Sequence, residues 1–151
     1  MKILPKIAST LAITVVLSSH AMPPWSSPGE AVAIQGYDTV AYFIKGEPVR
    51  GSSKYIHDWN GMSWFFSTAE SRDMFAADPE KFAPQFGGFC SLSVAYGKNA
   101  RGGGDAWTLH NGKLYLNFDK SVTEQFRRDI SGNISKAEGW WPTVKSRVER
   151  Q

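Results

Sequence analysis

The sequence predicts a small single α+β domain in which two antiparallel β-hairpins pack with several short helices. An Asn-Gly pair separates two runs rich in aromatic and apolar residues at Asn60-Gly61, and a second pair does so at Asn111-Gly112. This dipeptide is the strongest short-range signal for a two-residue hairpin turn. A segment with helical signals follows each hairpin, which is typical of the α+β class. About 130 residues follow the first 21, a length that suits one core.

The segment before the first hairpin, IQGYDTVAYFIKGEPV, predicts a short strand over residues 40–44, a turn at KGEP and a return near Val49. Asp38 stands close to two tyrosines in this segment. A carboxylate buried there would need hydrogen-bond donors. We therefore predict that Asp38 forms a structural hydrogen-bonding corner, with contact to a ligand as the alternative.

The helices are predicted from capping and breaking residues. Ser67 stands three residues before Glu70, the capping-box pattern of a helix N-terminus, and Asp78-Pro79 ends this helix. Further helices are predicted over residues 79–82, 89–96 and 122–130, the last of them capped by Asp119 or Ser121. The stretch NARGGGD, residues 99–105, is predicted as a mobile loop. The C-terminal part is predicted as a short helix, a GWWP clasp over the core and a basic tail.

The first 21 residues have the three parts of a secretory signal peptide. Lys2 and Lys6 precede an apolar run over residues 7–17, and the small residues Ser19 and Ala21 follow at the positions that signal peptidase reads. The apolar run is shorter than the about 20 residues that a membrane span needs. We therefore expect cleavage after Ala21, a periplasmic or secreted protein, and no stable membrane insertion after cleavage.

The expected domain organisation has four parts. They are a signal peptide at 1–21, a disordered leader at 22–32, a folded domain at 33–142 and a basic C-terminal tail at 143–151. Without Lys2 and Lys6, the 17 basic residues of the chain fall to 15 against 14 acidic residues, a net charge of +1. No stripe of Lys and Arg interleaves with aromatic residues, so we exclude nucleic-acid binding.

Four stretches of the sequence carry a family resemblance. They are IQGYDTVAYF, WNGMSWFFSTAESRDMFAADPEKFAPQFGGFC, AWTLHNGKLYLNF and the closing WWP. In these stretches the chain resembles the exported bacterial YHS-domain proteins. The resemblance covers residues 33–142, and residues 59–90 are its most specific part. It implies an α+β fold related to the YHS and TRASH-like modules, which occur beside copper-transporting ATPases and in other metal-handling proteins.

One departure from that superfamily concerns its metal site. The metal-binding module has two cysteines in a frame that begins Phe-Cys-Ser and closes at a Phe. The corresponding frame here is FSTAESRDMF, and Ser67 and Ser71 stand where the cysteines would be. Hydroxyl groups are poor ligands for copper or zinc. The exported branch resembles this chain in having one cysteine in a Gly-Gly-aromatic-Cys stretch, in some relatives a selenocysteine, so the resemblance points to chemistry at Cys90.

Cys90 is the only cysteine, which excludes an internal disulfide and a Cys-rich zinc site. It follows Gly87-Gly88 and is expected in the first turn of a helix, where unpaired backbone amides and the helix dipole favour the thiolate. The hydroxyl groups of Ser91 and Ser93 would add hydrogen bonds. A lowered pKa would make the thiol a nucleophile or a soft metal ligand. The alternative is a buried cysteine that packs as a small hydrophobic residue.

The other soft or borderline metal ligands are His57, His110, Met62 and Met74. None of them has a recognisable ligand spacing. One hypothesis is a copper or zinc ion bound by Cys90 with His57, His110 or a methionine, completed by a second protein molecule. A thiol hydrolase would instead need a histidine within hydrogen-bond reach of Cys90, oriented by an asparagine such as Asn111 or Asn117. The spacing does not establish that arrangement, and no catalytic residues are assigned.

The sequence thus predicts an exported accessory protein of the YHS type, more a binding or redox module than an enzyme. Its function would be soft-metal binding or reversible thiol oxidation at Cys90. The alternative is a partner-binding or structural module, as a homodimer or with another protein, in which Cys90 is buried and inert. The segment Trp140-Trp141-Pro142 is predicted to seal the core, and exposed tryptophans there would indicate a binding surface.

Overall fold

The computed structural model describes residues 31–151, so the predicted signal peptide and most of the predicted leader lie outside the described residues. The predicted α+β fold with two antiparallel sheets and several helices is confirmed. The strands are β1 (Ser52–Trp59), β2 (Met62–Phe66), β3 (Gly103–His110) and β4 (Lys113–Asn117). The helices are α1 (Ala41–Ile44), α2 (Ala69–Ala77), α3 (Pro79–Phe82), α4 (Ser91–Ala95), α5 (Lys120–Arg128) and α6 (Ile130–Val148), with 3-10 turns at Ala33–Gly36 and Phe86–Gly88.

Each sheet is one hairpin with a two-residue connection. Trp59 pairs with Met62 in the first hairpin and His110 pairs with Lys113 in the second. The connecting residues Asn60 and Gly61 have φ angles of 51° and 78°, and Asn111 and Gly112 have φ angles of 50° and 72°. Positive φ at both turn residues is the geometry that Asn-Gly adopts most readily and that matches the twist of antiparallel strands.

The buried apolar side chains form two clusters. The first packs the first hairpin against α2, with Trp64, Phe66 and Phe75 at its centre. The second lies between β4 and the helices α4, α5 and α6, and it includes Phe126 and Val144. Among residues 31–151, no helix is both long enough and apolar enough to cross a membrane.

The predicted strand over residues 40–44 is wrong, because this stretch is the helix α1. The carboxylate of Asp38 accepts hydrogen bonds from the backbone N–H groups of Val40 and Ala41, at 3.0 and 3.2 Å, which turns the chain into a helical conformation. A short apolar run cannot be assigned to strand or helix from its periodicity. The prediction that Asp38 forms a hydrogen-bonding corner is confirmed.

The predicted N-cap of α2 is also wrong by one residue. Thr68 caps the helix, and its hydroxyl accepts a hydrogen bond from the backbone N–H of Ser71 at 3.1 Å. The hydroxyl of Ser67 instead donates to Asp38 Oδ2 at 2.6 Å. Of the two residues proposed as caps for α5, Asp119 takes the role, accepting from the N–H of Val122 at 2.8 Å.

The glycines predicted to form a mobile loop are instead packed into the fold. Gly103 and Gly104 are buried and begin β3. A Cβ on Gly104 would lie 2.0 Å from the ring of Tyr37, and one on Gly102 would lie 2.2 Å from the carbonyl oxygen of Gly88. These glycines are therefore required by close approach of other groups, and not by flexibility.

The C-terminal part is one helix, α6, and not a short helix followed by a clasp and a tail. Pro142 lies inside this helix, although proline removes one backbone hydrogen bond there. Val144 and Val148 are buried in the second cluster, so the residues predicted as a basic tail contribute to the core up to residue 148.

Candidate functional site

Cys90 lies at the junction between the second hairpin and the helices. It is the N-cap of α4, and it follows Phe89, which pairs with Arg101 in an isolated β-bridge. The predicted helix over 89–96 therefore starts two residues later, at Ser91. The backbone N–H of Cys90 donates to the carbonyl oxygen of Ala100 at 2.9 Å. The residue is only 2% exposed, so the thiol lies beneath the surface.

The sulfur of Cys90 contacts a polar side chain, the carboxamide of Asn117. The Sγ donates to Asn117 Oδ1 at 3.7 Å, and the backbone N–H of Leu92 donates to the same oxygen at 3.1 Å. Because Leu92 supplies a donor, the oxygen of the amide must face the thiol and α4. Asn117 is fully buried at the end of β4, so this strand fixes both the thiol and the start of the helix.

Burial raises the pKa of the Cys90 thiol above its ordinary value of 9.0. The backbone N–H groups of Ser93, Phe118 and Leu92 act in the opposite direction, since they favour the thiolate, while Asp119 raises the pKa further. The net direction is upward, so the predicted lowering is wrong. A helix of five residues supplies few aligned peptide dipoles, and the loss of water around the sulfur outweighs them.

Two buried polar groups near Cys90 have no hydrogen-bond partner within the described part of the chain. They are the Nδ2 of Asn117 and the hydroxyl of Ser91, both on fully buried residues. Nδ2 belongs to the carboxamide that contacts the sulfur, and Ser91 follows Cys90 directly. Unpaired buried donors are uncommon in folded proteins and call for a specific explanation.

The structure does not bring the predicted metal ligands together. Within residues 31–151, no three or more His, Cys, Asp or Glu side chains are grouped so that they could hold a metal ion. His57 lies on β1 with its ring centroid 5.9 Å from that of Phe75, and His110 is the last residue of β3. A site in which one chain supplies Cys90, His57 and His110 is therefore not formed. Of the two methionines named as ligands, Met62 is buried in the first cluster and Met74 is 39% exposed on α2.

Ser67 and Ser71, which the predicted resemblance aligns with two metal-binding cysteines, have structural roles. The hydroxyl and the backbone N–H of Ser67 both donate to Asp38 Oδ2, and the backbone N–H of Ser71 donates to Thr68 at the start of α2. The hydroxyl of Ser67 is thus used inside the fold.

The two adjacent tryptophans of α6 differ in burial. Trp141 packs against Phe86 and Phe89, with ring centroids 5.9 and 6.5 Å apart, in agreement with a role in sealing the core. Trp140 is 47% exposed and lies over Gly97, next to Tyr96, which is 66% exposed. We refer to Tyr96, Gly97 and Trp140 as the aromatic surface.

An open cleft of about 390 Å³ lies beside the first 3-10 turn. It is lined by Ala31, Val32, Gln35, Gly36, Arg50, Gly51 and Phe65. The guanidinium of Arg50 donates to the carbonyl oxygen of Gln35 at 2.6 Å and stacks 4.0 Å above the ring centroid of Tyr37. The charged group of Arg50 is therefore already used in contacts within the fold. For this reason we take the surroundings of Cys90, and not the cleft, as the candidate site.

Comparison with family models, with curated proteins and with solved structures found no match to this chain. The resemblance to exported YHS-domain proteins therefore stays a prediction from the sequence. Asn117, which the sequence suggested only as a residue that could orient a histidine, contacts the thiol itself. The signal that could have identified it is an asparagine at the end of an otherwise apolar strand, LYLN.

Proposed function

We propose that this chain is an exported accessory protein of the YHS type and that Cys90, its single thiol, undergoes reversible oxidation. The observation that carries the proposal is the polar surroundings of the sulfur. A cysteine that serves only as a small hydrophobic residue needs apolar neighbours. Cys90 instead has a buried carboxamide at its sulfur, and backbone N–H groups of α4 and of Phe118, the residue after β4, lie near it.

Oxidation is better supported than metal binding. A soft metal ion needs several converging ligands, and residues 31–151 contain no group of three or more His, Cys, Asp or Glu side chains that could hold one. Oxidation requires only the sulfur and groups that accommodate the changed polarity of its product. Those groups are present in the form of the Asn117 amide and the hydroxyl of Ser91.

The raised pKa sets the rate at which such a thiol reacts. The thiolate is the nucleophile, so the neutral thiol of Cys90 reacts slowly at neutral pH and faster as the pH rises. Burial also protects it from large reagents. The proposed role is therefore that of a protected thiol which a small oxidant reaches, and not that of a rapidly reacting exposed cysteine.

The test is oxidation of the folded, purified protein, followed by counting of free thiols in denaturant. We expect the thiol to be lost on oxidation under native conditions and to return after treatment with dithiothreitol. Cys90→Ser, which has no thiol, gives the background. If the thiol is oxidised only in denaturant, Cys90 is inert in the folded protein and the proposal fails.

The aromatic surface favours a second candidate function, self-association. Exposed Trp and Tyr side chains are enriched at the centres of protein interfaces. We infer that a second copy of the chain binds there, and sedimentation of the wild type against Trp140→Ala tests this. Self-association is supported if a concentration-dependent dimer forms in the wild type and in Cys90→Ser but not in Trp140→Ala. A wild type that is monomeric at all concentrations excludes it.

A further inference from the structure

We propose that the oxidant of Cys90 is a small hydroperoxide such as hydrogen peroxide, and that the Nδ2 of Asn117 holds the oxygen of the resulting sulfenic acid. This inference rests on the proposed thiol oxidation and specifies its substrate class and its product. It starts from a buried amide that contacts the sulfur and has an unpaired donor.

The burial of the sulfur selects for a small, uncharged oxidant. Thiol–disulfide exchange requires a second sulfur, with its substituents, to reach Cys90 and form a mixed disulfide. With the residue 2% exposed, such a reagent has to displace part of the fold. Hydrogen peroxide is close to water in size and carries no charge, so its entry requires much less rearrangement.

The reaction balances without another reagent. The Cys90 thiolate attacks one oxygen of the peroxide, an S–O bond forms, and the O–O bond breaks. The sulfur loses two electrons and the peroxide gains them. The leaving hydroxide takes up the proton that the thiol released and becomes water, so the products are a sulfenic acid and one water molecule.

The carboxamide of Asn117 contacts the sulfur through Oδ1 and has a buried donor left to offer this product. Its Oδ1 accepts a hydrogen bond from the N–H of Leu92. A flip of the amide would exchange oxygen and nitrogen and would lose this hydrogen bond. Nδ2 is therefore left as a donor without a partner, on the side chain that contacts the sulfur. A sulfenic acid adds an oxygen acceptor to Sγ, and a hydrogen bond from Nδ2 to that oxygen satisfies the buried donor.

The chain offers no second cysteine to resolve the sulfenic acid. Its reduction therefore consumes two equivalents of an external thiol. The first condenses with the sulfenic acid, releasing water and forming a mixed disulfide, and the second displaces the Cys90 thiol from that disulfide. Because these thiols are larger than the peroxide, the sulfenic acid is expected to accumulate before it is reduced.

The first measurement uses the wild-type protein alone. Folded protein is treated with hydrogen peroxide or with oxidised glutathione, and the excess oxidant is removed. The protein is then unfolded in the presence of dimedone, which traps the sulfenic acid once Cys90 is exposed, and the adduct is located by peptide mass spectrometry. We expect the dimedone adduct on Cys90 after peroxide, and no glutathione adduct over the same period. Cys90→Ser, which has no thiol, should give no dimedone adduct, and oxidised methionine does not react with dimedone.

The second measurement concerns the amide. Asn117→Asp keeps an oxygen that accepts from Leu92 but removes the Nδ2 donor. We therefore expect the lifetime of the sulfenic acid to fall about tenfold, the effect of one hydrogen bond. Asn133→Asp is the matched control, because Asn133 is also buried and its Nδ2 donates to the carbonyl oxygen of Phe126 in the helical part of the fold. It should leave the lifetime unchanged.

The outcomes separate this inference from the proposed function. If glutathione disulfide oxidises Cys90 as fast as peroxide does, or if Asn117→Asp folds and leaves the lifetime unchanged, the inference is overturned while thiol oxidation stands. If no oxidant reaches Cys90 in the folded protein, both are overturned. Should Asn117→Asp fail to fold, the comparison of the two oxidants in the wild type still decides the oxidant class.

Discussion

The carboxylate oxygen Oδ2 of Asp38 accepts hydrogen bonds from both the backbone N–H and the hydroxyl of Ser67, at 2.9 and 2.6 Å. The two residues are 29 positions apart, so this pair joins the segment before α1 to the end of β2. The other oxygen, Oδ1, accepts from Val40 and Ala41 at the start of α1. One buried side chain therefore serves four donors from two parts of the chain.

Replacement of Asp38 by alanine should destabilise the fold strongly. Loss of the carboxylate leaves buried N–H groups without acceptors, and we expect the free energy of unfolding to fall by about 3–5 kcal/mol. Urea denaturation followed by tryptophan fluorescence measures this change. Ser67→Ala, which removes only one hydroxyl, should lower it by about 1 kcal/mol. A loss below about 1 kcal/mol in Asp38→Ala would contradict the role assigned to the carboxylate.

The parts of this fold that the sequence predicts are those that depend on neighbouring residues. The α+β class follows from two hairpin signals and from helix caps, and the cap at Asp119 lies three residues from the N–H that it binds. Asp38 was predicted as a hydrogen-bonding corner because a buried carboxylate must find donors. Each of these inferences needs only local chemistry.

The parts that the sequence does not predict depend on residues far apart in the chain. From the sequence alone Gly104 is typical of a loop. Its packing role depends on Tyr37, whose ring occupies the space that a Cβ on Gly104 would need. The burial of Val144 and Val148 carries α6 past Pro142, against the local preference of proline. At the candidate site, nothing adjacent to Cys90 reveals its burial, and Asn117 approaches it from 27 positions away.

The adjacent tryptophans of α6 should differ sharply in their effect on stability. Trp141 packs against Phe86 and Phe89, so Trp141→Ala should lower the free energy of unfolding by about 3 kcal/mol or more. Trp140 is half exposed, so Trp140→Ala should lower it by about 1 kcal/mol or less. Thermal denaturation of both variants decides this, and equal losses would contradict the difference in burial between the two side chains.

Two glycine substitutions should change the free energy of unfolding in opposite directions. Gly139 lies in the interior of α6, is exposed and has no atom within 4 Å of an added Cβ, so Gly139→Ala should raise the free energy of unfolding by about 0.5–1 kcal/mol. In Gly102→Ala the new Cβ meets the backbone oxygen of Gly88 at 2.2 Å, and the sheet must shift to accept it. We expect a clear loss of stability there. A neutral Gly102→Ala would contradict the close approach of these two backbone segments.

The pH dependence of stability should carry the signature of the buried thiol. Burial raises the pKa of Cys90 in the folded protein above 9.0, so above that pH the unfolded chain releases the thiol proton before the folded one does. The unfolded state then binds fewer protons, and the free energy of unfolding falls as the pH rises, by at most about 1.4 kcal/mol per pH unit for one group. The thiol contributes no such dependence below its unfolded pKa.

Cys90→Ser isolates this contribution from that of the tyrosines. Tyr42 and Tyr115 also have raised pKa values through burial and destabilise the fold at alkaline pH in both proteins. We therefore expect the slope of unfolding free energy against pH, measured by urea denaturation between neutral and alkaline pH, to be less steep in Cys90→Ser than in the wild type. Identical slopes would mean that the thiol has the same pKa in the folded and unfolded states. That result would contradict a sulfur that is shielded from water and hydrogen-bonded to Asn117.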